Sequence, residues 1–362
     1  MKRVAKIVGI GAAIVLIATV GVALEFLREQ GQFRTLTPHF GGVCKPIALE
    51  ASVEDIRIDH GTAFAYLSYL DRLAMMNGDT TVNGTIMLVD LNAAEPHLRA
   101  ALIAEPPDFR PHGMSLYAPL NGSRKLFVVS HPADGSHRVE IFEQTASGLF
   151  AHAKTITHPL MSSPNAILAV GPRQFYVVND RGGRTPFERF AEVILRRPLS
   201  NVLYFDGQAM RVAVTRLKNP SGMAGSHDGR MVYVSDTLGD QLQIFARNGT
   251  TGALRSAEAV PLGSSPDNIT TDEEGNLWIA AHPKLLSLLR AFRNASSIAP
   301  TQIFKVLPSA QEPGRVTEVY LNEGQALSAG SVAAVHGDRM LIGSAVEPRL
   351  LNCRLPNFRR AP

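Results

Sequence analysis

Two cysteines, one tryptophan and a charged fraction of 19% leave this 362-residue chain short of the marks of most specialised classes. So few cysteines exclude a disulfide-dense scaffold and any cysteine-rich metal cluster. The chain has no G-x-S-x-G elbow, which argues against a serine nucleophile, and no H-E-x-x-H zinc pair. The net charge of +4 is small and dispersed. No basic stripe interleaved with aromatics supports nucleic-acid binding. Long low-complexity tracts are absent, and helical periodicity is scarce after residue 40.

What is present is a hydrophobic fraction of 45%, enough for a large core, and a distinctive N-terminus. Lys2, Arg3 and Lys6 precede an uncharged apolar run from Ile7 to Leu24. That run is long enough to span a bilayer core, and the flanking charge predicts an exported remainder. A cleaved signal peptide, with Gly21 and Ala23 at its site, is the competing reading. The expected organisation is a signal-anchor helix over 1–30, a linker over 31–43 and one domain over 44–362. Cys44 and Cys353 sit at the two ends of the exported part. Two unrelated free thiols are one reading. A disulfide is the expected one, because a ring-shaped fold must fasten its first part to its last.

Short β-branched strands dominate the rest, and one phrase recurs: a polar turn containing Gly, then an apolar strand. It reads HGTAFAYLS at Gly61, NGSRKLFVVS at Gly122, GPRQFYVVN at Gly171, DGRMVYVSD at Gly229, EGNLWIAA at Gly275 and GDRMLIGSA at Gly337. Six units of about 46–62 residues predict an all-β, six-bladed β-propeller with four strands per blade. Each turn follows a blade's inner strand, whose start lines the central channel. Reading back from each Gly gives Glu54-Asp55, His112, Asn165, Ser221, Asp267-Asn268 and Gly330-Ser331. Polar residues at equivalent places in successive repeats converge on one channel mouth. Two segments break the pattern. Residues 184–199 and 284–295 read as short lid helices facing substrate or membrane, or as ordinary packed surface helices.

Glu54, Asn165, Asp267 and Asn268 offer carboxylate and amide oxygens, the ligand types calcium takes in sets of 6–8. Such an ion would polarise an ester carbonyl. A structural calcium plug, or Asx capping of turns, is the plain alternative. His112 and His131 suit a pair that moves a proton from water, one ring holding the other's tautomer. Taken singly, each is equally a structural histidine, and His282 belongs to the channel wall.

The stretches SVEDIRI, RPHGMSLY, FVVSHPADG, AILAVGPRQFYVVND, SPDNITTDEEGNLWIAAHP and LSAGSVAAVHGDRMLIGSA resemble the paraoxonase/arylesterase family of calcium-dependent lactonases, itself akin to gluconolactonase-like propellers. The resemblance runs from about Cys44 to Leu355. It implies catalytic-calcium ligands at Glu54, Asn165, Asp267 and Asn268, a histidine dyad at His112 and His131, and a further channel acid at Asp180. Trp278 and His282 fall near the substrate pocket. An uncleaved hydrophobic N-terminus and a Cys44–Cys353 bridge also follow. Two positions depart from the family. Ser221 stands where a further asparagine ligand is expected, and Asn219 lies two residues away. Ala166 stands where an aspartate holds a second, structural calcium, leaving Asp55 and the Met114 carbonyl as a weak or absent site.

The resulting expectation is a membrane-anchored, exported hydrolase of lactones and aryl or carboxylic esters that uses one calcium. A non-catalytic membrane-tethered propeller that binds a ligand or protein partner is the alternative. A metal-free propeller enzyme resembling strictosidine synthase is a third reading.

Overall fold

The turn glycines fall where a blade's first strand reverses into its second. The computed structural model describes residues 2–119, 122–309 and 315–356, apart from the side chains of 2–9 and 12. Two short strands come first, β1 (His39–Phe40) and β2 (Val43–Ala48). Blade one is β3 (Ser52–Asp59), β4 (Phe64–Leu70), β5 (Thr85–Asp90) and β6 (Leu98–Ala100). Blade two is β7 (Pro111–Tyr117), β8 (Lys125–Ser130), β9 (Arg138–Gln144) and β10 (Phe150–Ile156). Blade three is β11 (Pro164–Ala169), β12 (Phe175–Asn179), β13 (Ser200–Phe205) and β14 (Met210–Leu217). Blade four is β15 (Pro220–Gly225), β16 (Met231–Asp236), β17 (Gln241–Arg247) and β18 (Leu254–Pro261). Blade five is β19 (Ser265–Thr271), β20 (Leu277–His282), β21 (Thr301–Val306) and β22 (Val316–Asn322). Blade six contributes β23 (Gly330–His336), β24 (Arg339–Ser344) and β25 (Arg349–Arg354). Within each blade the consecutive strands form an antiparallel meander, so the six-bladed propeller expected from the repeat is the fold.

Second strands such as FYVVN of β12 are buried along their whole length. They pack on both faces against neighbouring blades, which is why they read as continuous apolar runs rather than alternating ones. Between blades six and one, for example, Val53, Ile56 and Leu67 meet Val332, Ala334 and Leu341. Inner strands touch their neighbours in sequence, and β23 touches β3, closing the ring.

The closure uses the chain's start. β2 pairs with β25 as the fourth strand of blade six, and Cys44 lies opposite Cys353 in that register. The two are joined by a disulfide, as expected. β1 adds a fifth strand to blade five, so the predicted linker over 31–43 holds structure of its own.

Among the described residues α1 (Lys2–Glu29) precedes the strands, and α2 (Arg72–Met76), α3 (Pro186–Ile194) and α4 (Leu285–Ala291) interrupt them. α2, α3 and α4 follow second strands and therefore lie at the mouth where inner strands begin. The end of α1 docks beside them, with Leu285 N–H donating to the Gln30 carbonyl at 3.2 Å and Arg196 to the Glu29 carbonyl at 3.0 Å. α3 starts at a Thr185–Glu188 capping box and is pinned by buried Glu192, which accepts from the Gly182 and Gly183 N–H groups and the Ser200 hydroxyl. Its apolar face turns outward, leaving Phe187 73% and Phe190 54% exposed. α4 does the reverse and buries Leu285, Leu288 and Ala291 in a packed cluster. Within residues 284–295 the helix, Leu285–Ala291, is thus packed onto the propeller at this mouth. Among the described residues no helix is long and apolar enough to cross a membrane. Part of the apolar run read from Ile7 to Leu24 lies outside the described side chains.

Candidate metal centre and active site

Every inner strand breaks register with its neighbour at the same height. Pairing shifts between Val53 and Ile56, Pro111 and Met114, Pro164 and Ile167, Pro220 and Met223, Pro266 and Ile269, and Gly330 and Val332. Such a bulge leaves its residues unpaired and re-aims their side chains. In four blades a proline, which has no N–H for the ladder, stands just before the bulge. The bulged pairs are Glu54-Asp55, His112-Gly113, Asn165-Ala166, Ser221-Gly222 and Asp267-Asn268, and the sixth bulge holds Ser331. A ring of bulges thus carries the polar residues into the channel.

Two glycines let the ring draw tight. A Cβ at Gly113 would stand 2.3 Å from the Asn165 carbonyl oxygen, and one at Gly222 would stand 2.2 Å from that of Asp267. Any side chain there would push adjacent inner strands apart.

Across this ring Glu54 Oε1 accepts from Asn268 Nδ2 at 2.7 Å and lies 3.6 Å from His112 Nε2. The Glu54 carbonyl accepts from Ser331 Oγ at 2.8 Å. Asp267 Oδ2 lies 2.9 Å from His282 Nε2. Asp180 accepts from Ser163 Oγ and, at 3.4 Å, from Asn165 Nδ2. Three oxygens are left over: Glu54 Oε2, Asn165 Oδ1 and Asn268 Oδ1 are buried without a hydrogen-bond partner. Buried polar atoms rarely stay unsatisfied, and three oxygens of this kind on one ring are a set a hard cation would complete. Burial alone would raise the Glu54 carboxyl. His112, Arg72 and the Asn268 amide outweigh it and hold the group down at about 2, so it is a carboxylate.

The histidines form a row. His112 Nδ1 lies 2.9 Å from His131 Nε2, and His131 Nδ1 lies 3.0 Å from His137 Nδ1. Burial, then the neighbouring His112, His137 and Arg72, push His131 well below its usual value of 6.5. His137 is pushed down by burial too, against the pull of the Ser162 backbone and Asp180.

The arylesterase family model matches residues 33–355. The chain belongs to the arylesterase family. It is 31% identical over 331 residues to serum paraoxonase/arylesterase 1 of Rattus norvegicus, covering 89% of this chain and 92% of that one. Serum paraoxonase/lactonase 3 of Homo sapiens is 32% identical over 315 residues, with 85% and 87% covered. A solved chain described as a candidate gluconolactonase shares the fold at TM-score 0.54 and 14% identity, over 87% of this chain and 93% of that one. As an arylesterase-family member the protein is a carboxylic ester hydrolase.

Within this arylesterase, the expected site residues divide. Glu54, Asn165, Asp267, Asn268, His112, His131, Asp180 and His282 all join the ring or touch it. Ser221 lies on the ring, but its hydroxyl is engaged with Thr237 Oγ1 at 2.6 Å and the Pro266 carbonyl at 3.2 Å. Asn219 is turned away to the Asp180 carbonyl at 2.7 Å. Trp278 does not reach the ring. Its indole is buried between blades five and six and donates to Asp272 at 2.9 Å, because its place on β20 is opposite Thr270, beyond the bulge.

Asp55 and Met114, expected to offer at most a weak second calcium site, meet each other directly. The Met114 N–H donates to Asp55 at 2.7 Å, the Ile56 N–H donates at 2.8 Å, and Arg57 lays its guanidinium on the same carboxylate at 3.0 and 3.2 Å. Burial still pushes Asp55 up to about 6 against Arg57, while Ala166 adds only a buried methyl. Arg57 thus sets a fixed positive charge beside the buried Asp55 carboxylate. Arg57, Arg72 and His137 escaped the sequence reading because none falls on a bulge. Arg57 could have been found by stepping two residues along the inner strand from Asp55, on the same face.

Proposed function

We propose that this esterase hydrolyses lactones and aryl or carboxylic esters with calcium held by Glu54, Asn165, Asp267 and Asn268, and that Ser221 stands behind them. The carrying observation is the three buried, partnerless oxygens of Glu54, Asn165 and Asn268. Carboxylate and neutral amide oxygens suit calcium rather than a softer metal. When bound, calcium supplies Lewis acidity toward the ester carbonyl.

The other tasks belong to the chain. A one-way row of donations has His112 Nδ1–H giving to His131 Nε2 and His131 Nδ1–H giving to His137 Nδ1. With Glu54 engaged by a bound cation instead of by His112, a neutral His112 would turn a bare Nε2 toward the ring, able to take a proton from the attacking water. The two rings behind it hold the tautomer and pass charge outward. Asp180 orients the Asn165 amide and draws on the same proton path. His282 fixes the Asp267 carboxylate. Arg57 replaces a second calcium at Asp55, so one ion per chain is the proposed stoichiometry.

We also propose that the apolar N-terminus anchors the chain with the propeller on the exported side. The outward Phe187 and Phe190 of α3, with exposed Phe33 and Leu195, support contact between this mouth and the membrane surface. Lipophilic esters would then enter from the bilayer.

The test is hydrolysis of aliphatic lactones by the purified chain before and after chelation. Turnover should vanish on removal of calcium and return on its addition. Turnover untouched by full calcium removal overturns the reading.

A further inference from the structure

At the mouth opposite the bulges, two histidines and a glutamate from three successive blades converge. His60 follows β3, Glu273 lies in the turn after β19, and His336 ends β23. His60 Nδ1 and His336 Nδ1 are 3.3 Å apart, and His336 Nδ1 lies 3.3 Å from Glu273 Oε1. All three ligand atoms fall within 4.8 Å of one another. A tetrahedral ion with bonds of about 2.0–2.1 Å sets its ligand atoms about 3.3–3.4 Å apart. Two edges of the trio already have that length.

The surrounding bonds prepare the rings for a metal. His60 Nε2 faces the Thr271 carbonyl at 3.0 Å. A carbonyl only accepts, so the proton sits on Nε2 and Nδ1 presents a bare lone pair to His336. A ligating histidine usually donates its other N–H to a carbonyl or carboxylate in this way. Glu273 is held as well, since its second oxygen accepts from the Gly337 N–H at 3.0 Å. Hydrogen bonding does not fully satisfy the trio, because one N–H on His336 Nδ1 faces two acceptors. His60, with His227, also lines a cavity of about 470 Å³ that gives a fourth ligand room.

We propose that His60, His336 and Glu273 bind a divalent cation of the zinc type, a site distinct from the ring of bulges. Two imidazole nitrogens and one carboxylate suit zinc and disfavour calcium. The ion would tie blades five, six and one across the seam where the ring closes, and so act as a structural clip. Binding to the folded chain alone raises its stability by mass action.

The experiment uses the full chain, dialysed against zinc in excess calcium and analysed for bound metal. One zinc per chain is expected, with a higher Tm than in zinc-free calcium buffer. Cobalt(II) in its place should give the visible bands of a four-coordinate ion. His60→Gln with His336→Gln should weaken zinc binding more than about tenfold and abolish the Tm rise, with lactone turnover unchanged at saturating calcium. If that double variant does not fold, Glu273→Gln at its exposed turn should weaken the cobalt bands. No retained zinc, zinc displaced by calcium, or zinc held equally by the variants would each overturn the proposal.

Discussion

Glu54 and Asn268, 214 positions apart in the chain, share a 2.7 Å hydrogen bond across the channel. Blades one and five are not neighbours, so this bond spans the ring rather than a seam. Glu54→Gln keeps an acceptor for Asn268 and removes only the charge. Calcium binding should weaken by about 100-fold or more, the upper end of what even indirect ligand partners contribute. Lactone turnover should fall with it at fixed calcium and recover in part at high calcium. Calorimetric titration beside the rate assay checks both.

The histidine row predicts a graded effect. His131→Gln breaks the link behind His112 and should lower kcat by about 10²- to 10⁴-fold, the usual share of general base catalysis. His137→Phe removes only the outer ring and should cost less. Calcium affinity should stay unchanged in both. An equal loss of calcium binding would reassign the row to structure.

The depressed His131 also sets a pH dependence of stability. Its folded pKa lies below the unfolded value of 6.5, so the unfolded chain binds more protons between the two. Its contribution is therefore present above 6.5 and is lost as pH falls through the folded value. Urea midpoints of the calcium-free chain should drop on acidification below neutrality, and His131→Gln should flatten that slope. Parallel slopes in the two proteins would contradict this account.

Arg57 over Asp55 makes a separate prediction. Arg57→Met leaves a buried carboxylate with backbone donors alone and should destabilise the fold by about 3–5 kcal/mol. Equilibrium denaturation reads this directly. A change under about 1 kcal/mol would mean the guanidinium is dispensable there.

Much of this was legible in the sequence, for a physical reason. The turn glycines, Gly61 through Gly337, punctuate each blade, and the residues before them are polar where a free-standing strand would be apolar. That contradiction located Glu54, Asn165 and Asp267. The bulges themselves were not legible, since a register break is a property of two strands. His60 and His336 stood in plain view, each just before a turn glycine, but 276 residues separate them. Only ring closure brings their blades together. Trp278, expected near the pocket from the family resemblance alone, sits beyond the bulge between blades five and six, a placement that only the strand register reveals.

Residues 43–48 of β2 are synthesised before any blade, yet their partner, β25, is the last of the described strands to be made. Throughout that interval the segment is an orphan edge, able to recruit the wrong neighbour. Its exposed Lys45 and Pro46 suit the wait, because a charge and a missing N–H discourage foreign pairing. The ring therefore stays open until β25 has been made, and a chain lacking either β2 or β25 would present an unfinished sixth blade to quality control.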